Sequence, residues 1–248
     1  MSQLLDDLGH RVELPSAPRR VVSLVPSLTE SVVPTGLLVG ATDWCTHPAD
    51  LDVARVRGTK NPDIAAVLAL EPDLVLANKE ENRELDVRRL RDAGVQVWVT
   101  DIESVPQGVS SLRRVFTEAL AVDAPAWLDE AERLWCRPLP EVTATVAIPI
   151  WRDPWMVVGG RTFVSDLARR LGYANAFADA DDRYPHAALA EIDRADIDLV
   201  LLPDEPYVFT ATDGPEAFRH VPTELVSGRL LTWYGPSLLE AAHTLRRD

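Results

Sequence analysis

The chain has 248 residues, 46% of them hydrophobic, with 39 acidic against 25 basic side chains and a formal net charge of −14. That suffices for one large domain or two smaller ones, each with its own core. A nucleic-acid binder needs a basic face, and no long Lys/Arg block occurs; no apolar run reaches the roughly 18 residues of a membrane span.

The N-terminal stretch MSQLLDDLGHRVELPSAPRR has an early Asp-Asp, no basic segment and no apolar core. It does not read as a secretory or lipoprotein signal. With Met1 as the start, the protein is expected in the cytoplasm; a processed or re-engineered N-terminus would place it in the periplasm or at the cell surface. Cys45 and Cys136 lie far apart and make no disulfide framework, which suits a reducing compartment.

Strand-like runs then alternate with helical patterns: RVVSLV, a helix, LLVGATD, a helix, DLVLA, a helix, QVWVTD. This alternation predicts a parallel sheet covered by helices. Pro26 to Glu30 follows the first strand, and Ser27 and Glu30 have capping-box spacing, so a helix should begin there. Its N–H groups would suit an anionic ligand group. VDAPAWLDEAERLWCRPLP reads as a further helix, with Asp123 as N-cap and Trp127, Leu128, Ala131, Leu134 and Trp135 on one stripe. At 1.5 Å per residue it spans about 20 Å, a stiff connector. The alternation restarts at TATVAIPI and runs through DLVLLP.

The second half echoes the first. At an offset of 125, EPDLVLANKE lies on DIDLVLLPDE, and Glu80 falls on Glu205. SLTESVVPTGLLVGATDW and TFVSDLARRLGYANAFAD share a helix, Gly, strand order. The reading is an α/β protein of two Rossmann-like lobes: residues 1–122, a connector helix over 123–137, and residues 138–248. Ligands of parallel sheets bind outside the carboxyl ends of the strands, so a cleft between the lobes is the expected site.

Chemistry-bearing motifs are few. DWCTHP groups Trp44, Cys45 and His47, but neighbours on one short loop rarely supply a thiol nucleophile with its base, and a zinc site needs more ligands than are near. No P-loop, dinucleotide fingerprint or nucleophile elbow occurs. VGGR at 158–161 is too short for a phosphate cradle. The aromatics say more. Trp127 and Trp135 fit the connector stripe and Trp98 a buried strand, whereas Trp44, Trp151, Trp155, Tyr184, Tyr207, Phe209, Trp233 and Tyr234 stand in loops or at strand ends. Such residues give large contact area at low entropy cost, so a broad, partly apolar ligand is expected.

RVVSLVPSLTESV, GTKNPDIAAVLALEPDLVLA, LRDAGVQVWVTD and RTFVSDLARRLGYANAFAD together resemble the helical-backbone (class III) periplasmic-binding-protein family. Its members bind cobalamin, haem and ferric siderophores for ABC importers. The likeness covers nearly the whole chain from Asp7. It looks nearest to the cobalamin-binding branch, and within that to a subgroup without a signal that carries DWCxHP, NKEEN, IWRxPW, DEPY and WYG.

The resemblance implies two lobes joined by one helix with little hinge motion, a ligand in the cleft and no catalysis. It implies one docking carboxylate per lobe for an ABC permease: Glu84, six residues past Asn78, and Glu205, with Glu80 the rival of Glu84 through the echo. The family's cobalamin-contacting aromatics fall on Lys60, Asn78, Trp155 and Tyr184. Two of these four are not aromatic, which leaves room for an anionic ligand gripped by Lys60. The expected ligand set is therefore Trp44, Lys60, Asn78, Trp151, Arg152, Trp155, Tyr184, Tyr207, Trp233 and Tyr234, with Lys60 and Arg152 meeting carboxylates. A corrinoid, haem, siderophore or other metal chelate would be cargo, and no cofactor is required. The alternatives are a cytoplasmic enzyme or chelatase using Cys45, His47 and Glu80, and an interaction module that docks a partner without a ligand.

Overall fold

The computed structural model describes residues 4–14 and 16–246. Met1 and Ser2, on which the reading of the start rests, lie outside them. The chain divides into two compact units: Met1–Ile102 with Val109–Asp129, and Glu103–Gly108 with Glu130–Asp248.

Unit 1 is built on β-branched and apolar runs that sheets bury on both faces. Strands β1 (Val21–Ser23), β2 (Leu38–Ala41), β3 (Ala54–Arg55), β4 (Leu74–Asn78) and β5 (Val97–Thr100) form one sheet in the order β3-β2-β1-β4-β5, every pair parallel. All residues of β4 and β5 are buried. Helices α1 (Pro26–Val32), α2 (Ile64–Ala69) and α3 (Glu84–Asp92) lie between strands in sequence, and α4 (Val105–Arg114) follows β5 and passes into a π-helical turn at Val115–Ala119. Leu24, Val67, Val75, Leu90 and Val97 belong to the core cluster.

Unit 2 repeats the plan. Strands β6 (Ala144–Ala147), β9 (Tyr173–Asn175), β10 (Leu199–Pro203) and β11 (Thr223–Val226) form a parallel sheet in the order β9-β6-β10-β11. A short antiparallel hairpin, β7 (Pro149–Trp151) and β8 (Met156–Val157), follows β6. Helices α6 (Phe163–Arg170), α7 (Leu189–Ile192), α8 (Gly228–Thr232) and α9 (Ser237–Thr244) complete it.

The echo in sequence is an echo in pairing. Val21 stands opposite Leu74 and Val146 opposite Leu199, both pairs related by the same offset of 125. The helix, Gly, strand segments correspond to α1 and β2, and to α6 and β9. Their glycines, Gly36 (φ 71°) and Gly172 (φ 93°), take the left-handed conformation that stops a helix without a Cβ penalty.

Two local expectations shift. α1 starts at Pro26, with Val25 extended (φ −137°, ψ 126°) as N-cap and no side-chain cap. Proline at the first helical position fixes φ for the helix, so Ser27 falls inside the first turn. There Ser27 O accepts a hydrogen bond from Ser31 Oγ at 2.7 Å, and the capping box with Glu30 does not form. The expected connector is also shorter. Ala124 precedes a proline, which disfavours helical backbone, so α5 runs over Ala126–Trp135 and Asp123 caps nothing. The limits between the units fall just before α4, within α4 and within α5.

The amide side chains at the end of β4 fix the polar loop that follows it. Asn78 N–H donates to Asn82 Oδ1 at 2.8 Å, and Asn82 Nδ2 donates to Leu24 O and Thr59 O at 3.2 and 2.9 Å. Both side chains are buried, so truncation strands several backbone groups. Asn82→Ala is expected to destabilise the protein by roughly 1–3 kcal/mol, read as a lower midpoint of urea unfolding with an unchanged slope.

Candidate functional site

Each parallel sheet reverses its strand order at its first strand, and the loops after the strands gather at the carboxyl edge. In unit 1 these are the loops after β1, β2 and β4. The crevice between β1 and β4 is filled by the Asn82 amide, which bridges Leu24 and Thr59. Asn78 is saturated internally: Nδ2 donates to Thr100 Oγ1 at 3.1 Å, and Oδ1 accepts from the N–H groups of Glu80 and Glu81 at 2.8 and 3.2 Å. Lys60 Nζ donates to Glu80 O, and Lys79 pairs with Asp101 at 2.7 Å. Trp44 is 65% exposed, its Nε1 lying where a Cβ on Gly58 would meet it at 3.2 Å.

Cys45 lies beneath Trp44, fully buried. Its sulfur is 3.0 Å from Thr29 Oγ1 and 3.1 Å from Thr42 Oγ1. Burial pushes the thiol pKa up, against the lowering effect of the two threonine hydroxyls. The side chain is therefore an inert packing element. His47 is exposed, its Nδ1 3.1 Å from Thr46 Oγ1. Among the described residues no group of three or more His, Cys, Asp or Glu is placed to hold a metal ion.

Unit 2 gathers aromatics at the same edge. Trp151 meets Tyr207 edge-on at 5.6 Å, Tyr207 leans on Phe209 at 4.7 Å, and Phe209 stacks on Trp155 at 5.9 Å with 6° between planes. Phe218 closes the group against Trp155 at 5.4 Å. Trp151 is 45% exposed and Val208 62%, so the wall opens at that end while Trp155 and Phe209 sink into the core. Asp153, at φ 59°, turns the chain between the two tryptophans.

Arg152 lies over the Trp155 ring at 5.4 Å. Its Nη1 donates to Asp213 and, at 2.7 Å, to Glu216, and Asp153 approaches its Nε at 3.5 Å. The Glu216 hydrogen bond raises the arginine pKa, and Arg152 in turn holds the Glu216 carboxyl below its ordinary value. Tyr207 Oη donates to Asp213 Oδ2 at 2.7 Å.

The remaining expected contacts lie elsewhere. Tyr184 is half-buried in the loop after β9. Tyr234 is buried against Phe163 at 5.7 Å, and Trp233 is buried beside Arg229 at 5.9 Å. Glu205 is turned inward: Thr232 Oγ1 donates to it at 3.4 Å, and it packs where a Cβ on Gly228 would fall, 2.3 Å from its Cγ. Burial raises its pKa, opposed by a hydrogen bond from Trp233. Glu80 is half-buried, and Glu84 is exposed at the start of α3.

The structure thus joins Trp151, Arg152, Trp155 and Tyr207 in one group. Phe218, Asp213 and Glu216 complete that group and were missed in sequence. Their signal is a Gly-Pro turn in TDGPEAF, which marks a loop but not its partner 61 or 64 residues away. VGGR is a packing device: a Cβ on Gly160 would stand 1.9 Å from Ala178 O.

No model of a known protein family matches the chain. Individual proteins do. It is 26% identical, over 97% of its length and 83% of the relative, to the uncharacterized ABC transporter substrate-binding lipoprotein YvrC of Bacillus subtilis. It is 24% identical to the vitamin B12-binding protein of Pectobacterium carotovorum, over 92% of this chain and 87% of that one. Its fold matches the periplasmic haem-binding protein BhuT, solved with two haems, at a TM-score of 0.71 and 25% identity over 92% of this chain and 96% of that one. The chain is thus similar, in sequence and in fold, to substrate-binding proteins. These relatives are binding proteins, not enzymes. They are a lipoprotein and a periplasmic protein where compartment is named, so the expectation of a cytoplasmic protein gains no support. No helix among the described residues is long and apolar enough to cross a membrane.

The burial of Cys45 has a direct chemical readout. In native protein at pH 8 an aromatic disulfide reagent is expected to titrate one thiol, the exposed Cys136, and to reach the second only in denaturant. Two fast native equivalents would contradict the packing of Cys45.

Proposed function

We propose that the chain is the substrate-binding component of an ABC importer and takes a bulky, flat small molecule against the carboxyl edge of its unit 2 sheet. The observation that carries this reading is the connected aromatic wall of Trp151, Tyr207, Phe209 and Trp155, open at Trp151. A wall of this kind offers large, rigid contact area to a planar ligand. The cargo named for the relatives, vitamin B12 and haem, sets the class: a corrinoid, haem or comparable metal chelate, siderophores included.

In this reading Trp151 and Tyr207 contact the ligand. Trp155, Trp233 and Tyr234 support the loops that carry those contacts. Tyr184 stands at the margin. We assign docking on a permease to Glu84, a reading supported by its exposure. Glu205 would have to leave Thr232 and Trp233 to take part, and Glu80 is half-buried.

Isothermal titration against cobalamin, haem and a ferric siderophore tests the reading. One of them is expected to bind with quenching of tryptophan fluorescence, and Trp151→Ala to weaken that binding about tenfold, which corresponds to about 1.4 kcal/mol. Absence of any binding tighter than about millimolar would remove the ligand class.

A further inference from the structure

The charge arrangement of the unit 2 wall bears on which chelates it accepts. Arg152 is the guanidinium in contact with the wall, and three carboxylates surround it: Asp213, Glu216 and Asp153. One positive and three negative groups leave a net charge of −2. The Tyr207 hydroxyl is already donated to Asp213. What the wall still offers is the 45% exposed Trp151, the ring of Tyr207 and the 62% exposed Val208.

Two further cations of unit 2 are engaged. Arg183 pairs with Glu103 at 2.6 Å, and Arg161 donates to Asp181 O at 2.8 Å beside the exposed Asp181 and Asp182. An electron-rich ring face beside uncompensated carboxylates attracts positive charge. A ligand carboxylate brought there meets like charge and finds its natural partner, Arg152, already surrounded.

We propose that this wall selects chelates that are neutral or positively charged on the face they present to it, and discriminates against carboxylate-bearing ones. The inference rests on the binding function proposed above and sharpens it: the relatives' cargoes include both amide-rimmed and acid-rimmed molecules, and this wall favours the first chemistry. Arg152 then acts as a positioning residue that ties the 151–155 loop to the 213–216 turn.

Paired probes test it. Cobinamide and cobyrinic acid share a corrin ring and cobalt and differ in having peripheral amides or carboxylates; haem dimethyl ester and haem differ in the same sense. In whichever pair binds, the amide or ester form is expected to bind at least about tenfold tighter at low salt, with the ratio shrinking as salt screens the charges. Asp213→Asn with Glu216→Gln is expected to narrow or invert that ratio by uncovering Arg152; Glu216→Gln alone serves if the double variant does not fold. Equal or tighter binding of the acid form by the unaltered protein overturns the inference and leaves the binding function standing. Failure of all four probes, with siderophores also unbound, removes the binding function itself.

Discussion

One strand pairing, used twice, sets the functional face. The first strand of each unit lies parallel against the strand that ends in a polar loop, Val21 on Leu74 and Val146 on Leu199. Parallel pairing forces all the following loops of a unit to one edge. A slip of one residue would exchange the two buried faces of Leu74 to Asn78 and take Asn78 off Thr100, so packing and that hydrogen bond hold the register. The aromatic wall of unit 2 and the exposed Trp44 of unit 1 are both consequences of where that pairing delivers the chain.

The two edges have diverged chemically on a shared frame. In unit 1 the crevice beside the first strand is closed by Asn78 and Asn82, which satisfy each other and five segments of backbone or side chain around them. Buried amides that are fully paired rigidify a loop and leave nothing for a ligand. In unit 2 the corresponding loop after β10 carries Tyr207, Val208 and Phe209, and it is fixed instead by ring packing and by the Arg152 ion pairs. Rigidity comes from hydrogen bonds in one case and from apolar contact in the other. The second leaves Val208 and Trp151 exposed beside it.

Much of the fold was legible because it rests on local patterns. Apolar runs of strand length, helical stripes and Gly36 and Gly172 act over a few residues, and the repeat at an offset of 125 exposed the duplicated strand order. Helix starts were less legible, because Pro26 and Pro125 each override a nearby capping residue. The site was legible in kind and not in detail. A loop tryptophan that packs inward and one that meets a ligand use the same residue type, so Trp155, Trp233 and Tyr234 could not be told from Trp151 without burial. The acids around Arg152 were hidden for a different reason: Asp213 and Glu216 reach it only through the fold, and no short-range pattern links them to it.

Hydrogen exchange of the protein alone and saturated with cobinamide addresses the central claim most directly, that the unit 2 carboxyl edge receives the ligand. Backbone amides in residues 149–157 and 207–216 should exchange more slowly in the complex. Saturation that leaves 149–157 and 207–216 unprotected would contradict the account.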